Sequence, residues 1–225
     1  MTKRPIVIIG AGRFGAETVE LGRQIERATG DIEIIGLLDD KSTEKEVLGC
    51  PVLGGMEAAK KLLDDTPEVE GVVAIGDTRS KQGVVGRYGS LGLSFANLIH
   101  PRAIVPESVE IGCGCIIAAG CILTVDIEIG NHVILNLGTT VGHDAIIGQF
   151  STLNPQVAVN GRDVIGEGVY VGTGAKLIHE VRIGDWSVIG AGAVVVSDIP
   201  ENVLAVGVPA KPIRVSPYAI DTGSS

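Results

Sequence analysis

Residues 129–148 read IGNHVILNLGTTVGHDAIIG, and an aliphatic side chain recurs at every sixth position of this stretch. The same register continues in both directions over seventeen consecutive positions: Ile99, Val105, Ile111, Ile117, Leu123, Ile129, Leu135, Val141, Ile147, Leu153, Val159, Ile165, Val171, Leu177, Ile183, Ile189 and Val195. The residue four positions after each aliphatic is small or apolar, with Asp163 as the exception. Neither the 3.6-residue period of a helix nor the two-residue period of a strand explains this spacing.

A period of six fits a chain that makes a short strand, turns a corner and repeats. Three such sides close a triangular coil of eighteen residues, with the aliphatic side chain filling the interior. Because strands stack at about 4.8 Å, five to six coils give a prism roughly 27 Å tall. The pattern therefore predicts a parallel β-helix over residues 99–214, followed by a tail, residues 215–225, that we expect to be mobile.

The first 98 residues predict a separate, small α/β domain. Residues 5–9 form a buried apolar run, and residues 10–15, GAGRFG, fit the G-x-G-x-x-G pattern between a strand and a helix. An amphipathic helix is predicted over residues 17–27, ending near Gly30. The N-terminus of such a helix is a common binding site for phosphate groups.

Two further strands complete this Rossmann-like βαβ pattern. The strand predicted over residues 32–38 ends at Asp39 and Asp40, where an acid can accept hydrogen bonds from ribose hydroxyls. The strand predicted over residues 72–75 ends at Gly76. A full dinucleotide fold needs two such halves, so the domain size favours a mononucleotide or a nucleotide-linked sugar over NAD.

The overall composition narrows the function further. The net charge of −9 argues against a nucleic-acid or membrane-surface partner. No secretory signal or membrane-spanning stretch is visible, so we expect a cytoplasmic protein. No Cys or His pattern has zinc-ligand spacing, and we expect no metal cofactor. The four cysteines are expected to be core thiols: Cys50, Cys113, Cys115 and Cys121.

Taken together, these motifs resemble one branch of the hexapeptide-repeat acyltransferases. They are the glycine-rich loop, Leu38-Asp39-Asp40, Ala74-Ile75-Gly76, Ile134-Leu135-Asn136, Val141-Gly142-His143-Asp144 and Gly207-Val208-Pro209-Ala210-Lys211. The branch contains bacterial N-acetyltransferases of nucleotide-linked amino sugars, with sialic acid O-acetyltransferases as close relatives. The resemblance implies a left-handed β-helix, acetyl-CoA as co-substrate, and a homotrimer with active sites between neighbouring prisms.

The resemblance also implies the residues that bind the nucleotide-linked sugar. These are Gly12, Arg13, Phe14, Asp39, Asp40, Gly76 and Asn136. The family often has a histidine at the position of Phe14, and another at the position of Thr152.

Acetyl transfer to an amine needs a base, and two histidines compete for that role. His143 and His179 each follow an interior aliphatic by two positions, lie on the same corner two coils apart, and precede an acid. The resemblance selects His143, with Asp144 orienting its ring. Eighteen residues on, Gly161 lies one coil above His143, where its amide can donate to the thioester oxygen. For His100 and His132 we expect structural roles.

Small residues at eighteen-residue spacing predict the wall against which CoA lies. Pro155, Thr173 and Ala191 form such a column on a different corner, and the resemblance places CoA along a wall of this kind. The expected CoA-binding residues are Thr152, Gly161, Thr173, Ala191 and Lys211.

The sequence therefore predicts direct, acetyl-CoA-dependent N-acetylation of a nucleotide-linked amino sugar, most simply at C4. Two alternatives stay open. The first is O-acetylation of a sugar, including sialic acid, on the same fold. The second is a non-enzymatic trimeric scaffold that binds a nucleotide.

Overall fold

The computed structural model describes residues 3–219 and contains two compact units. The first comprises the residues up to Pro101 together with Cys113–Ile116. The second comprises Arg102–Gly112 and the residues from Ile117 onward. None of the helices within residues 3–219 combines the length and apolar character that crossing a bilayer requires.

The first unit is a six-stranded sheet flanked by helices. Its elements are β1 (Arg4–Ile9), α1 (Arg13–Thr29), β2 (Ile32–Leu38), β3 (Glu46–Val47), β4 (Cys50–Gly54), α2 (Met56–Asp65), β5 (Glu70–Val73), α3 (Thr78–Gly89) and β6 (Ser94–Phe95). Strand β7 (Leu98–Ile99) follows and is not part of this sheet. The sheet order is β3-β4-β2-β1-β5-β6, parallel except for the β3–β4 pair. The three predicted strands are β1, β2 and β5, and the predicted helix is α1, which begins four residues earlier than expected.

Strand β1 is buried on both faces, as expected of a parallel central strand. Val7 and Ile9 point into one apolar cluster, and Ile8 points into another on the opposite face. Helix α1 ends where Gly30 adopts a left-handed conformation (φ 72°) and donates its N–H to the Glu26 carbonyl. The predicted helix end near Gly30 is therefore correct.

The second unit consists of short parallel strands that coil around an apolar interior. The two-residue strands are β8 (Glu110–Ile111), β9 (Ile116–Ile117), β10 (Ile122–Leu123), β11 (Glu128–Ile129), β12 (Ile134–Leu135), β13 (Thr140–Val141), β14 (Ile146–Ile147), β15 (Thr152–Leu153), β16 (Ala158–Val159), β17 (Val164–Ile165), β18 (Tyr170–Val171), β19 (Lys176–Leu177), β20 (Arg182–Ile183), β21 (Val188–Ile189) and β22 (Val194–Val195). They end in a longer antiparallel hairpin of β23 (Val203–Val206) and β24 (Lys211–Val215).

The strands stack in three parallel ladders with an eighteen-residue offset, which shortens to sixteen residues at the last step, from β21 to β23. One ladder runs β8-β11-β14-β17-β20, the second β10-β13-β16-β19-β22, and the third β9-β12-β15-β18-β21-β23. Ile129 pairs with Ile147 and Leu135 with Leu153, so the aliphatic positions of successive coils lie directly above one another. From Ile117 to Val195, each of these aliphatic side chains is at most 4% exposed.

From Ile111 to Ile189, each corner turns through a residue in the left-handed region, three positions after the interior aliphatic. Examples are Asp144 (φ 57°), Phe150 (φ 60°) and Arg162 (φ 61°), and glycines occupy several of the remaining corners. The left-handed conformation is unfavourable by about 1–2 kcal/mol for a residue other than glycine. The coils contain such strained residues because this conformation lets the chain turn within six residues. The position and backbone conformation of each corner residue are thereby fixed.

Part of the predicted tail packs against the β-helix. The Ser216 N–H donates to the Asn202 carbonyl, and the rings of Tyr218 and Tyr170 lie 6.1 Å apart. Residues 220–225 lie outside the described residues.

We predict that Gly168→Ala destabilises the β-helix more than Gly174→Ala does. Both glycines have positive φ, at 61° and 70°, so the backbone strain of the two variants is matched. A β-carbon at Gly168 would lie 2.1 Å from the buried Trp186 ring, whereas one at Gly174 meets nothing within 4 Å. Overpacking then adds about 1–3 kcal/mol. Urea unfolding monitored by Trp186 fluorescence measures the difference; equal losses would contradict the prediction.

Candidate active site

His143 lies at the corner between β13 and β14, with its ring paired to the next residue along the chain. Its Nδ1 is 2.7 Å from Asp144 Oδ2. Side chains of neighbouring residues in an extended strand point in opposite directions. Because Asp144 is left-handed, the corner turns its carboxylate back toward the imidazole. The pairing fixes Nδ1 as the nitrogen facing the acid and leaves Nε2 for other chemistry.

Gly161 packs one coil above His143 at the same corner. A β-carbon on Gly161 would lie 2.6 Å from His143 Nε2 and 2.7 Å from Cε1, so the ring rests on the glycine backbone. The Arg162 N–H donates to the His143 carbonyl at 2.8 Å, which ties the two coils together. Within residues 3–219 the Gly161 N–H has no hydrogen-bond acceptor. The corner therefore holds an imidazole nitrogen beside an available amide.

A cavity of about 470 Å³ opens at this corner. It is lined by Gly142, His143, Asn160, Gly161, Arg162, His179 and Glu180. Arg162 forms an ion pair with Glu180, and both side chains are more than half exposed. The sequence analysis placed His143, Gly161 and His179 on one corner, and the structure brings all three to this cavity. The sequence analysis did not identify Arg162 or Asn160 as part of this cavity. Their proximity to His143 becomes evident only when the eighteen-residue offset is applied to every residue of the corner.

Asp163, the one acid at a small-residue position of the repeat, braces this corner from inside. Its side chain is fully buried, and its two carboxylate oxygens accept the N–H groups of Asn160 (2.8 Å) and Val181 (3.1 Å). Burial raises the pKa of Asp163, an effect that these backbone hydrogen bonds and nearby His179 oppose. The carboxylate thus clamps the turn that carries Gly161 to the coil above.

Two of the five predicted CoA-binding residues, Thr173 and Ala191, lie on another corner, between the ladders of β12 and β13. The Gly174 N–H donates to the Pro155 carbonyl and the Gly192 N–H to the Thr173 carbonyl, so the predicted column stacks as expected. Thr173 and Ala191 are exposed. Asn136 begins the same corner one coil lower, where its Oδ1 accepts the Leu137 N–H.

The other predicted CoA-binding residues do not join this column. Thr152 is buried on β15, and Lys211 is exposed at the start of β24, the second strand of the terminal hairpin. Gly161 belongs to the His143 corner. Within one chain, the structure therefore keeps His143 and the Thr173–Ala191 column on separate corners.

In the first unit, each glycine of the GAGRFG loop has a distinct environment. Gly10 has a φ of 112°, which favours glycine. A β-carbon at Gly15 would lie 2.0 Å from the Gly10 carbonyl oxygen, so only glycine lets α1 approach β1 this closely. Gly12 has nothing within 4 Å of its β-position and caps α1. The loop thus exposes the helix N-terminus at Gly12.

The two acids at the end of β2 are already engaged by the protein. Asp39 accepts the N–H groups of Ala11, Lys41 and Ser42 at 2.8–2.9 Å. Partial burial would raise the pKa of Asp39, but these three hydrogen bonds and Lys41 hold it below its usual value. Asp39 therefore anchors the glycine-rich loop to the end of β2.

Asp40 faces a different set of groups. It accepts the Met56 N–H at 3.0 Å and pairs with the Arg87 guanidinium at 3.1 Å. Its side chain remains partly exposed at the rim of a cavity of about 400 Å³. The cavity is lined by Ile9, Gly10, Leu38, Asp39, Asp40, Lys41, Ile75, Ser80, Gly83, Val84, Arg87 and Tyr88.

Of the predicted sugar-binding residues, only the acid pair lines this cavity. Arg13 is exposed on the first turn of α1, and Phe14 packs against the core cluster around Val19. Gly76 precedes α3, with open space at its β-position. The sequence analysis missed Arg87 and Tyr88, because α3 was not predicted.

Each of the two units contains a segment that matches a known protein family. The PglD N-terminal domain family matches residues 5–88, and the bacterial transferase hexapeptide family (six repeats) matches residues 164–197. A solved mutant of perosamine N-acetyltransferase from Caulobacter crescentus, in complex with CoA and GDP-perosamine, is 37% identical to this chain. It covers 93% of this chain and 96% of its own, with a TM-score of 0.86. The chain belongs to the hexapeptide-repeat N-acetyltransferases of nucleotide-linked amino sugars.

Two further acetyltransferases are similar to this chain. The acetyltransferase domain of PglB from Neisseria gonorrhoeae FA1090 is 32% identical, covers 94% of this chain and all of its own, and has a TM-score of 0.85. UDP-N-acetylbacillosamine N-acetyltransferase of Bacillus subtilis (strain 168) is 36% identical over 114 residues, about half the length of either protein. The predicted fold class, an α/β domain followed by a left-handed parallel β-helix, is confirmed.

We predict that Asp163→Asn destabilises the second unit by about 1–3 kcal/mol. The amide NH₂ replaces one of two acceptor oxygens and faces a backbone N–H, which leaves a buried donor unpaired. Asp31→Asn is the matched control, because it removes the same charge at an exposed side chain. Urea unfolding at neutral pH measures both variants, and an unchanged midpoint for Asp163→Asn would show that the carboxylate does not brace the corner.

Proposed function

We propose that this protein transfers the acetyl group of acetyl-CoA directly to the amino group, at C4, of a nucleotide-linked amino sugar. The observation that carries the proposal is the His143–Asp144 pair, seated on Gly161 at the mouth of a cavity. Two relatives described above support the same chemistry: the perosamine N-acetyltransferase solved with CoA and GDP-perosamine, and the UDP-N-acetylbacillosamine N-acetyltransferase. Acetyl-CoA is then a co-substrate, and no step requires a metal.

In this mechanism His143 is the general base. Asp144 accepts a hydrogen bond from Nδ1–H, which leaves the lone pair on Nε2 to take a proton from the attacking amine. The proton passes to Nε2 as the amine nitrogen attacks the thioester carbonyl and forms the tetrahedral intermediate. The C–S bond then breaks, and the imidazolium protonates the departing CoA thiolate. Asp144 stabilises the imidazolium while it exists.

The Gly161 amide is the donor for the oxyanion of the tetrahedral intermediate. A backbone N–H without an acceptor can bind developing negative charge without first breaking another hydrogen bond. The contact between the His143 ring and Gly161 keeps the base and the donor within one substrate's reach.

The first unit binds the nucleotide part of the substrate. The exposed N-terminus of α1 at Gly12 offers amides to the phosphates. The cavity beside Asp40 is large enough for a nucleoside. We assign Arg13, Phe14, Asp39 and Gly76 to the same region, with Asp39 shaping the loop that meets the phosphates.

The active site is shared between copies in a homotrimer. His143 and the Thr173–Ala191 column lie on different corners of one prism, so a neighbouring copy must supply the CoA wall that faces His143. Asn136 and Lys211 contribute from the same neighbouring wall, and Thr152 supports it from within. The enzyme works in the cytoplasm, the compartment that supplies acetyl-CoA.

We predict that His143→Asn lowers kcat by about 10²–10⁴-fold while nucleotide binding stays intact, because the base and the nucleotide cavity are on different elements. His179→Gln, which alters the second histidine of the cavity, serves as the control and retains most activity. The assay follows thiol release from acetyl-CoA with UDP-, GDP- and dTDP-linked 4-amino sugars, beside their 4-hydroxy counterparts.

If His179→Gln lost activity and His143→Asn retained it, the base would be His179, two coils away, and not His143. Turnover of the 4-hydroxy sugars in preference to the amino sugars would make the enzyme an O-acetyltransferase. Absence of thiol release with every acceptor would leave the non-enzymatic scaffold as the better explanation.

We predict that two inactive variants complement each other when their subunits are mixed. Ala191→Trp blocks the CoA wall but keeps His143. His143→Asn removes the base but keeps the CoA wall. Refolding the two together forms mixed trimers in which some sites combine a wild-type wall with a wild-type base, so activity returns. Light scattering measures the trimer mass. A mixture as inactive as its components, or a monomer at all concentrations, would contradict the shared site.

A further inference from the structure

Tyr88, on the last turn of α3, has a buried hydroxyl without a hydrogen-bond partner. The side chain is 1% exposed, and its hydroxyl oxygen has neither donor nor acceptor among residues 3–219. A buried polar group left unpaired destabilises the folded state, so native proteins rarely keep one without a function. Phenylalanine would fill the same space without this cost.

Tyr88 borders the cavity of the first unit that we assign to the nucleotide. The residue lines that cavity, and its ring packs in the cluster that contains Ile9, Leu38 and Val84. Burial, followed by the negative charge of Asp40, raises the pKa of Tyr88 to about 12. The hydroxyl is therefore protonated at neutral pH and is within electrostatic reach of the cavity rim.

The inner part of the cavity is apolar. Ile9, Leu38 and Val84 are buried there, and Ile75 lines the same space. The charged groups Asp40 and Arg87 stand at the exposed rim, already paired with each other. An apolar slot with one buried hydroxyl suits a flat ring whose faces are apolar and whose edge is polar. A phosphate or a ribose would instead need several polar partners.

We propose that the Tyr88 hydroxyl hydrogen-bonds the edge of the nucleobase of the substrate nucleotide, which seats between the apolar walls of this cavity. The inference rests on the proposed function, in which the first unit binds the nucleotide. It adds a base-recognition residue on α3. Binding pairs the hydroxyl for the first time, so the penalty carried by the free protein is recovered only when a base is present.

This energetic balance gives Tyr88→Phe two effects of opposite sign. Removal of an unpaired buried hydroxyl raises the melting temperature of the free protein, by about 2–4 °C for each kcal/mol in a chain of this size. Loss of the hydrogen bond to the base weakens nucleotide binding about tenfold, which corresponds to about 1.4 kcal/mol. A tyrosine needed only for packing would change neither quantity in this direction.

The test compares wild type, Tyr88→Phe and the control Tyr170→Phe. Tyr170 lies on β18 of the second unit, where its ring contacts Tyr218. Calorimetry measures the binding of UDP, GDP, dTDP and acetyl-CoA to each full-length protein, and scanning calorimetry gives the melting temperature without ligand. We expect weaker binding of the preferred nucleoside diphosphate in Tyr88→Phe alone, with unchanged affinity for acetyl-CoA.

Wild-type affinity in Tyr88→Phe would overturn the role of Tyr88 while leaving nucleotide binding by the first unit in place. A large fall in melting temperature would also overturn it, because the hydroxyl would then have a stabilising partner in the free protein. If wild type bound none of the three nucleoside diphosphates, the nucleotide-binding role of the first unit would itself fail.

Discussion

The left-handed corner residue is the constraint on which the β-helix depends. An eighteen-residue coil closes only if the chain turns sharply three times, and each turn places one residue near a φ of +60°. Because these corners recur at fixed positions, the coils up to Val195 have the same length, and their parallel ladders stack without slippage. The aliphatic interior then follows, since the same position of each coil always points inward.

The same constraint builds the candidate site. At Asp144 the left-handed turn brings a carboxylate back onto the preceding His143, a contact that a straight strand would prevent. Strict stacking puts Gly161 over that ring, and the buried Asp163 holds the Gly161 turn against the next coil. The proposed base, orienting acid and amide donor are thus positioned by the backbone rather than by flexible side chains.

The sequence was sufficient for the features that repeat. A six-residue period predicted the coil and its interior, and an eighteen-residue sum placed Gly161 above His143. It was insufficient where neighbouring residues look alike. Asp39 and Asp40 read as one acidic pair, yet one carboxylate binds three backbone N–H groups and the other faces Arg87. Helix α3 escaped prediction because glycines interrupt it, and Tyr88 escaped with it.

The two units differ in how the buried polar side chains Asp163 and Tyr88 are hydrogen-bonded. In the β-helix, buried Asp163 is satisfied by backbone N–H groups, so it fixes one geometry whether or not a ligand is present. In the α/β unit, the buried Tyr88 hydroxyl has no such partner within residues 3–219, and in our proposal a nucleobase supplies it. Rigidity is an advantage where a proton must be transferred between fixed atoms. An unpaired hydroxyl is an advantage where one ligand must be distinguished from another, because only a base that pairs with it recovers the cost of having buried it.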